Sequence, residues 1–356
     1  MKIVIFGLTT GTGHDAAHSL RWRALVQALA IRGHRVIAVE RAGPGGAAAP
    51  WTIPGGEWLT YDDWDAIAPE AARQADDSGV ALAVAHGPDA LAAAGLVRES
   101  RSARRVLYDP DAPASLAALE AGEGPAHLPA GGLGGFDLVL TSSGGPALDA
   151  YREKTGADGV TPLYPWIVPE AHKHGHHRRA YHGDLCCVAP DARAMREGLD
   201  RFFIEPAQRL ARRRFVLAGG HLPDVAALSG NIAALPDFDL SHTGDLLASA
   251  TLTLALARDD ERRVGWCPTD RLLEAAARGA AIVSDRWDGV ETFFEPGREI
   301  LVAAQTDDVT TAMMLPRNHL ADLGQRARKR ALAEHSAERR VQELRGILDL
   351  KGGGDD

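Results

Sequence analysis

Short unbroken apolar runs alternate with longer stretches in which apolar residues recur every three or four positions, and the alternation continues along most of the chain. The first run, Lys2–Gly7, has the length of a buried strand. After the loop LTTGTGHD, the spacing of Leu20, Ala24, Leu25, Ala28 and Leu29 predicts a helix from about Asp15 to Arg32, ended by Gly33. Arg35–Glu40 is the next strand. Strand, helix and strand in so short a span imply a right-handed parallel crossover. Val80–Ala85, Arg105–Tyr108, Leu138–Thr141 and Val160–Leu163 are further strands, with Ala-rich helical stretches between them. This predicts a doubly wound α/β domain, with binding groups at the carboxyl ends of its strands.

A second alternation starts at Asp184. LCCVA is a strand, a helix runs through Phe203–Arg213, Arg214–Ala218 is a strand, Asn231–Ala234 precedes another apolar run, and Ser249–Leu256 is a buried strand. Thr269 to Ala303 then reads as one βα-type unit. Thr269 caps a helix, Leu272, Leu273 and Ala276 recur at helical spacing, and Gly279 supplies a left-handed stop. Ala280–Ser284 is a strand, and a Gly/Glu loop, Asp288 to Gly297, leads to the run Ile300–Ala303. One long helix, charged on one face, is predicted over about Asn318–Leu348, followed by a disordered KGGGDD tail. Ala42–Pro54 and Ala121–Gly135 are loops, and the polar Trp166–His182 is the domain linker. The expected division is 1–170, 171–335, and a helix end with tail over 336–356.

Composition narrows the class. The 356 residues suit two domains, and 45% apolar with 24% charged residues supports substantial cores. A net charge of −9 argues against a generally nucleic-acid-binding surface. Cys186, Cys187 and Cys267 are too few and badly spaced for a disulfide framework or zinc site, which points to a reducing cytoplasmic setting. Met1 leads directly into a strand and no run of eighteen apolar residues follows, so a soluble protein without stable membrane insertion is expected. The histidines at 172, 174, 176, 177 and 182 lack a helical pair on one face, and a flexible solvated run is expected rather than a metal site. GTGHDA lacks the third glycine of a dinucleotide fingerprint, although Glu40 stands where a ribose ligand would.

GWCPTDRLLEAAARG (Gly265–Gly279) and the block SDRWDGVETFFEPGREILVA resemble the C-terminal domain of the CgeB-like glycosyltransferases, a branch of the two-domain GT-B class. His18 and Arg23 ahead of ALVQALAIRGHRV, LYDPDAP (Leu107–Pro113), FDLVLTSSGGPALD, PLYPWIVPEAH and FIEPAQRLARRRFVLAGG extend the resemblance over nearly the whole chain. It implies two Rossmann-like domains facing across a cleft, with the last helix crossing back to the first. The implied activity is transfer of a sugar from a nucleotide-diphosphate sugar to an acceptor nucleophile, most simply a hydroxyl. A nucleotide-sugar donor serves as co-substrate, with no essential cofactor or metal. The acceptor class stays open among small molecules, glycans, proteins and modified bases, as does the oligomeric state.

The resemblance assigns donor binding to Glu274, Arg271, Thr269 and Arg258. Gly219, Gly220, Gly289 and Glu291 join them at strand and loop ends. A guanidinium in a first helical turn forks onto a diphosphate, and a helix N-terminus attracts its charge. In the first domain, His18, His14 and Asp15 are the candidate proton-transfer groups. Gly11, Gly13, Asp109, Asp111, Ser142, Ser143 and Gly144 are the acceptor-side candidates. Each has a plainer reading: helix cap, surface salt bridge, turn glycine, packed histidine or solvated loop carboxylate. Relatives carry a further glutamate where this chain has Trp266, a hydroxyl residue at Ala257, and a glycine-bearing loop at Ala189-Pro190. These departures keep two alternatives open, a nucleotide-sugar epimerase or hydrolase on the same fold and a non-catalytic nucleotide- or sugar-binding protein.

Overall fold

The structure, a computed structural model, describes residues 1–9, 14–43, 56–224 and 228–348, and for residues 14–17 the backbone only. The chain divides into two compact units, one of Met1–Tyr164 with the chain from Ala337 on, the other of Pro165–Ser336. The candidates Gly11 and Gly13, and the side chains of His14 and Asp15, lie outside the described residues, as do most of the Ala42–Pro54 stretch and the KGGGDD tail.

The first unit is built on a seven-stranded parallel sheet. Its strands are β1 (Lys2–Thr9), β2 (Arg35–Arg41), β3 (Gly56–Tyr61), β4 (Val80–Val84), β5 (Arg105–Asp109), β6 (Leu138–Thr141) and β7 (Val160–Pro162). The order β3-β2-β1-β4-β5-β6-β7 reverses direction between β1 and β4, so the switch point lies at their carboxyl ends. The helices are α1 (His14–Ile31), α2 (Trp64–Asp76), α3 (Ala90–Glu99), α4 (Ala112–Glu120) and α5 (Ala147–Thr155). The apolar runs read as strands are strands, because a parallel sheet covered on both faces selects unbroken apolar sequence. β3 and α2 were not foreseen. GEWLTY pairs only with β2 and is mostly half-buried or exposed, so an edge position allows a polar sequence that hides it. β1 also continues past Gly7 to Thr9, through a register shift between Ile5 and Leu8. Gly7 has φ +78°, and a Cβ there would stand 2.2 Å from the Val84 carbonyl oxygen.

The second unit carries a six-stranded parallel sheet in the order β10-β9-β8-β11-β12-β13. These are β8 (Gly183–Ala189), β9 (Phe215–Gly219), β10 (Ile232–Pro236), β11 (Ala250–Ala255), β12 (Ile282–Asp285) and β13 (Leu301–Ala303). The direction reverses between β8 and β11. The helices are α6 (Arg196–Leu199), α7 (Glu205–Arg209), α8 (Thr243–Ser249), α9 (Asp259–Val264), α10 (Asp270–Ala277), α11 (Val290–Phe293), α12 (Thr306–Ala312) and α13 (Arg317–Glu334). Its core joins Leu185, Leu217 and Leu254 of the strands to Phe202, Phe203, Leu320 and Leu323 of the helices. The helix read over Phe203–Arg213 starts earlier and ends at Arg209, with a π-helical stretch Asp200–Ile204 joining α6 to α7. The Asn231 amide ends it by donating to the carbonyls of Ala207, Leu210 and Arg213 at 3.0, 3.1 and 2.9 Å.

The long terminal helix is in fact two, α13 and α14 (Ala337–Leu348), broken at His335 and Ser336. The His335 ring packs on Phe293 and Phe294, and its carbonyl accepts from the Ile167 N–H at 2.8 Å. α14 packs against α1 in the first unit. The polar Trp166–His182 stretch is part of the second unit, with Trp166, Ile167 and Val168 buried. The histidines at 174, 176, 177 and 182 are exposed, as a solvated run would be, while the backbone between them is tied down: the His176 N–H and the Arg178 side chain both reach the Asp245 carboxylate, at 2.8 and 2.7 Å.

Candidate functional site

The second unit gathers its candidates at the carboxyl edge of its sheet and on α10. Thr269 caps α10, its hydroxyl accepting the Leu272 N–H at 3.1 Å. Leu272, Leu273, Ala275, Ala276 and Ala277 are buried, which leaves Arg271, Glu274 and Arg278 together on the remaining face at spacings of three and four. The Glu274 carboxylate lies 2.6 Å from Arg271 and 3.1 Å from Arg278, and its side chain is only 12% exposed. It is therefore not a solvent-facing helix glutamate. Burial pushes its pKa up, but the charges of Arg271, Arg278 and His172 outweigh this and hold it below the usual glutamate value. Arg278 is braced in turn through the Lys173 carbonyl at 2.8 Å.

Arg258 follows β11 and caps α9, with its guanidinium 3.1 Å from Asp260 and its N–H bonded to Glu261. Beside it stands a residue the sequence reading passed over. Asp285 ends β12, is fully buried, and accepts the Ala257 N–H at 3.0 Å, tying the ends of β11 and β12 together. Its other oxygen has no hydrogen-bond partner among the described residues, Arg262 being 3.8 Å away. Burial pushes this carboxyl up to about 7. A carboxylate that closes an apolar strand run at a sheet's carboxyl edge was the available signal.

The candidate glycines meet protein atoms first. A Cβ on Gly219, at φ +145°, would stand 1.8 Å from the Ala189 carbonyl oxygen, and the Gly220 N–H donates to that same oxygen at 3.1 Å. Gly289, at φ +87°, lies against the Trp266 ring, 2.5 Å from where its Cβ would be. Trp266 itself has φ +50° and donates its N–H to the Asp288 carbonyl at 2.6 Å. Trp266 thus locks the 265–266 and 288–289 loops together. Glu291 is exposed.

In the first unit, His18 is 6% exposed and on the buried face of α1. Its Nε2 accepts from Trp22 Nε1 at 2.9 Å, and its ring lies 4.3 Å from that of His86, at the carboxyl end of β4. Arg23, the second residue of the expected motif, is paired with the buried Glu40, whose carboxylate also accepts from Ser19. Glu40 is therefore engaged within the fold rather than placed for a ribose, which removes the dinucleotide reading.

Asp109 is fully buried instead of solvating a loop; it accepts from the Asp111 N–H at 2.9 Å and the Tyr151 hydroxyl at 2.7 Å. Asp111 is half-buried at the start of α4. Ser142 accepts the Ala112 N–H at 3.3 Å, and the Ser143 carbonyl accepts from Thr141 at 2.8 Å, so both shape the turn after β6. Gly144 faces Tyr164, whose hydroxyl would be 1.9 Å from a Cβ. Asp109, Ser142 and Ser143 do gather at the adjoining ends of β5 and β6, as the strand order dictates.

Residues 193–346 match the family model described as "Glycosyl transferase-like", which covers most of the second unit and most of α14. No curated protein matches the sequence. Among solved structures, sucrose-phosphate synthase (tll1590) from Thermosynechococcus elongatus is similar at TM-score 0.61 and 13% identity, over 98% of both chains. Alr3699/HepE of Anabaena, in complex with UDP-glucose, is similar at TM-score 0.62 and 13% identity, over 98% of this chain and 99% of that one. The T4 phage BGT in complex with its UDP-glucose substrate is similar at TM-score 0.62 and 10% identity, over 98% of this chain and 100% of that one. The two parallel-sheet α/β units are those of the GT-B fold. Among the described residues no helix is long and apolar enough to cross a membrane, and no group of three or more His, Cys, Asp or Glu is arranged to hold a metal ion.

Proposed function

We propose that the chain is a glycosyltransferase of the CgeB-like branch, moving a sugar from a nucleotide-diphosphate sugar to an acceptor hydroxyl. The observation that carries this reading is α10, inside the glycosyl transferase-like region, with its capped start and its Arg271–Glu274–Arg278 cluster. In this reading the Glu274 carboxylate, held ionised and in one orientation by two guanidiniums, accepts hydrogen bonds from the donor's ribose or sugar hydroxyls. Arg271 and the N-terminus of α10 meet the diphosphate, and Arg258 adds positive charge at the end of β11. These groups stabilise the charge that develops on the leaving nucleoside diphosphate as the glycosidic bond breaks. The relatives with UDP-glucose bound make uridine diphosphate sugars the first donors to try. The first unit is assigned the acceptor. The buried free cysteines accord with a reducing cytoplasmic setting.

The test is a thermal-shift series with UDP, GDP, TDP and CDP and their common sugar conjugates. Ligand binding raises the melting temperature by mass action, by an increment that grows with ligand concentration. A shift confined to one nucleotide series supports the reading and identifies the base. A cooperative melt unmoved by every conjugate at millimolar concentration would sink it.

A further inference from the structure

The loop after α4 carries a histidine that the sequence reading did not single out. His127 is held over the carboxyl end of β5, with Nε2 2.9 Å from Ser115 Oγ and 3.5 Å from Asp109 Oδ1. Asp109 is fully buried behind it, and the Tyr151 hydroxyl fixes the other carboxylate oxygen at 2.7 Å. Both partners of the ring use the same nitrogen, so this is not a Ser–His–Asp relay, in which the two ring nitrogens face different partners. A carboxylate beside Nε2 places the proton of the neutral ring there and leaves the lone pair on Nδ1. The ring stays accessible, with 29% of its side-chain surface open. His18 offers a contrast: it is 6% exposed, and its Nε2 is already an acceptor for Trp22.

We infer that His127, oriented through Nε2 by Asp109 and Ser115, is the proton-accepting group that the first unit presents to the acceptor hydroxyl. The inference rests on the glycosyltransferase reading above. As the acceptor oxygen bonds to the anomeric carbon, its proton passes to His127 Nδ1. The bond from that carbon to the diphosphate oxygen breaks, and its electron pair leaves with the nucleoside diphosphate. Asp109 and Tyr151 are positioning residues. The charged groups facing the ring are Asp109 and Asp111. The hydrogen bond to Asp109 raises the imidazole's pKa, burial opposes this, and the two carboxylate charges add to the rise. The ring is therefore a base only above a raised midpoint, and transfer fails on the acid side of it.

Two measurements on the full chain test this. In the first, long-range proton–nitrogen spectra of histidine-labelled protein, with the signal assigned from His127→Gln, follow the ring through pH. The expected result is a neutral ring protonated on Nε2, a midpoint above the ordinary 6.5, and a lower midpoint in Asp109→Asn. A neutral ring protonated on Nδ1, or a midpoint unmoved in Asp109→Asn, overturns the inference. The second follows UDP release from UDP-glucose with water as acceptor. His127→Gln is expected to lower kcat about 100-fold with KM unchanged, and Asp109→Asn to move the acid limb of the pH profile downward. Wild-type turnover in His127→Gln overturns the inference and leaves the function reading intact. Wild-type protein that neither binds nor turns over any nucleotide sugar removes the function reading, and the inference with it.

Discussion

Replacing Glu274 by Gln keeps the shape of the side chain and removes the negative charge between Arg271 and Arg278. All three side chains are largely buried, at 12, 16 and 13% exposure, and the carboxylate lies within 3.1 Å of both guanidiniums. Removing one partner of a fully buried pair costs about 3–5 kcal/mol. An exposed pair contributes under about 1 kcal/mol. The partial exposure here, and the hydrogen bond an amide oxygen still accepts, place the loss at about 2–3 kcal/mol. In a domain of this size that lowers the melting temperature by roughly 5–10 °C.

The assay is chemical and thermal unfolding of the intact chain across a pH series. Glu274 is held below the usual glutamate value, because its arginine neighbours outweigh its burial. Its contribution is therefore present above the unfolded-state pKa and lost as pH falls through the folded one. The gap between wild type and Glu274→Gln should be constant near neutrality and close below about pH 4. A variant within about 0.5 kcal/mol of wild type at neutral pH, or a gap that widens on acidification, refutes the reasoning. Arg278→Gln separates the structural role from donor contact: it breaks the same clamp but keeps the carboxylate. If Glu274 touches the donor, its variant weakens nucleotide-sugar binding by more than Arg278→Gln does.

Asp285 titrates in the opposite sense. Burial raises its carboxyl to about 7, so the second unit loses stability as pH rises from the unfolded-state value of about 4 toward that point, by up to about 4 kcal/mol. Asp285→Asn should flatten the dependence between about pH 4 and pH 7, read from urea unfolding; an unchanged slope assigns it to another group. Gly289→Ala combines a left-handed backbone with a Cβ driven into the Trp266 ring, and is expected to lose about 2 kcal/mol. In a Trp266→Ala background the loss should shrink to the backbone part, about 1 kcal/mol. Equal losses in both backgrounds would show that the ring plays no part.

Local signals located most of the elements. The apolar runs at Val80–Val84 and Phe215–Gly219 are unambiguous because parallel strands are covered on both faces. Thr269 and Gly279 mark the ends of α10 through the hydrogen-bonding and conformational preferences of single residues. The misplaced ends share another cause. α7 stops where Asn231, from a distant segment, takes its last carbonyls, and the terminal helix breaks where His335 packs on Phe293 and Phe294. β3 was missed because an edge strand has one partner and admits polar residues.

For the candidate site, the family resemblance singled out Thr269, Arg271 and Glu274, and spacing added that Arg271 and Glu274, three apart on a helix, share a face. Tertiary structure decided what those side chains meet. Glu274 is buried between two arginines, Glu40 is taken by Arg23, Asp109 is enclosed with Tyr151, and His127 is brought to Asp109 from a loop 18 residues on in the chain. None of these contacts has a periodic signature, because each joins segments whose separation is set by sheet order and loop path. Sequence determines which groups are available and where the chain turns. The charge state and orientation of each group depend on burial and on partners that meet only when the sheets assemble.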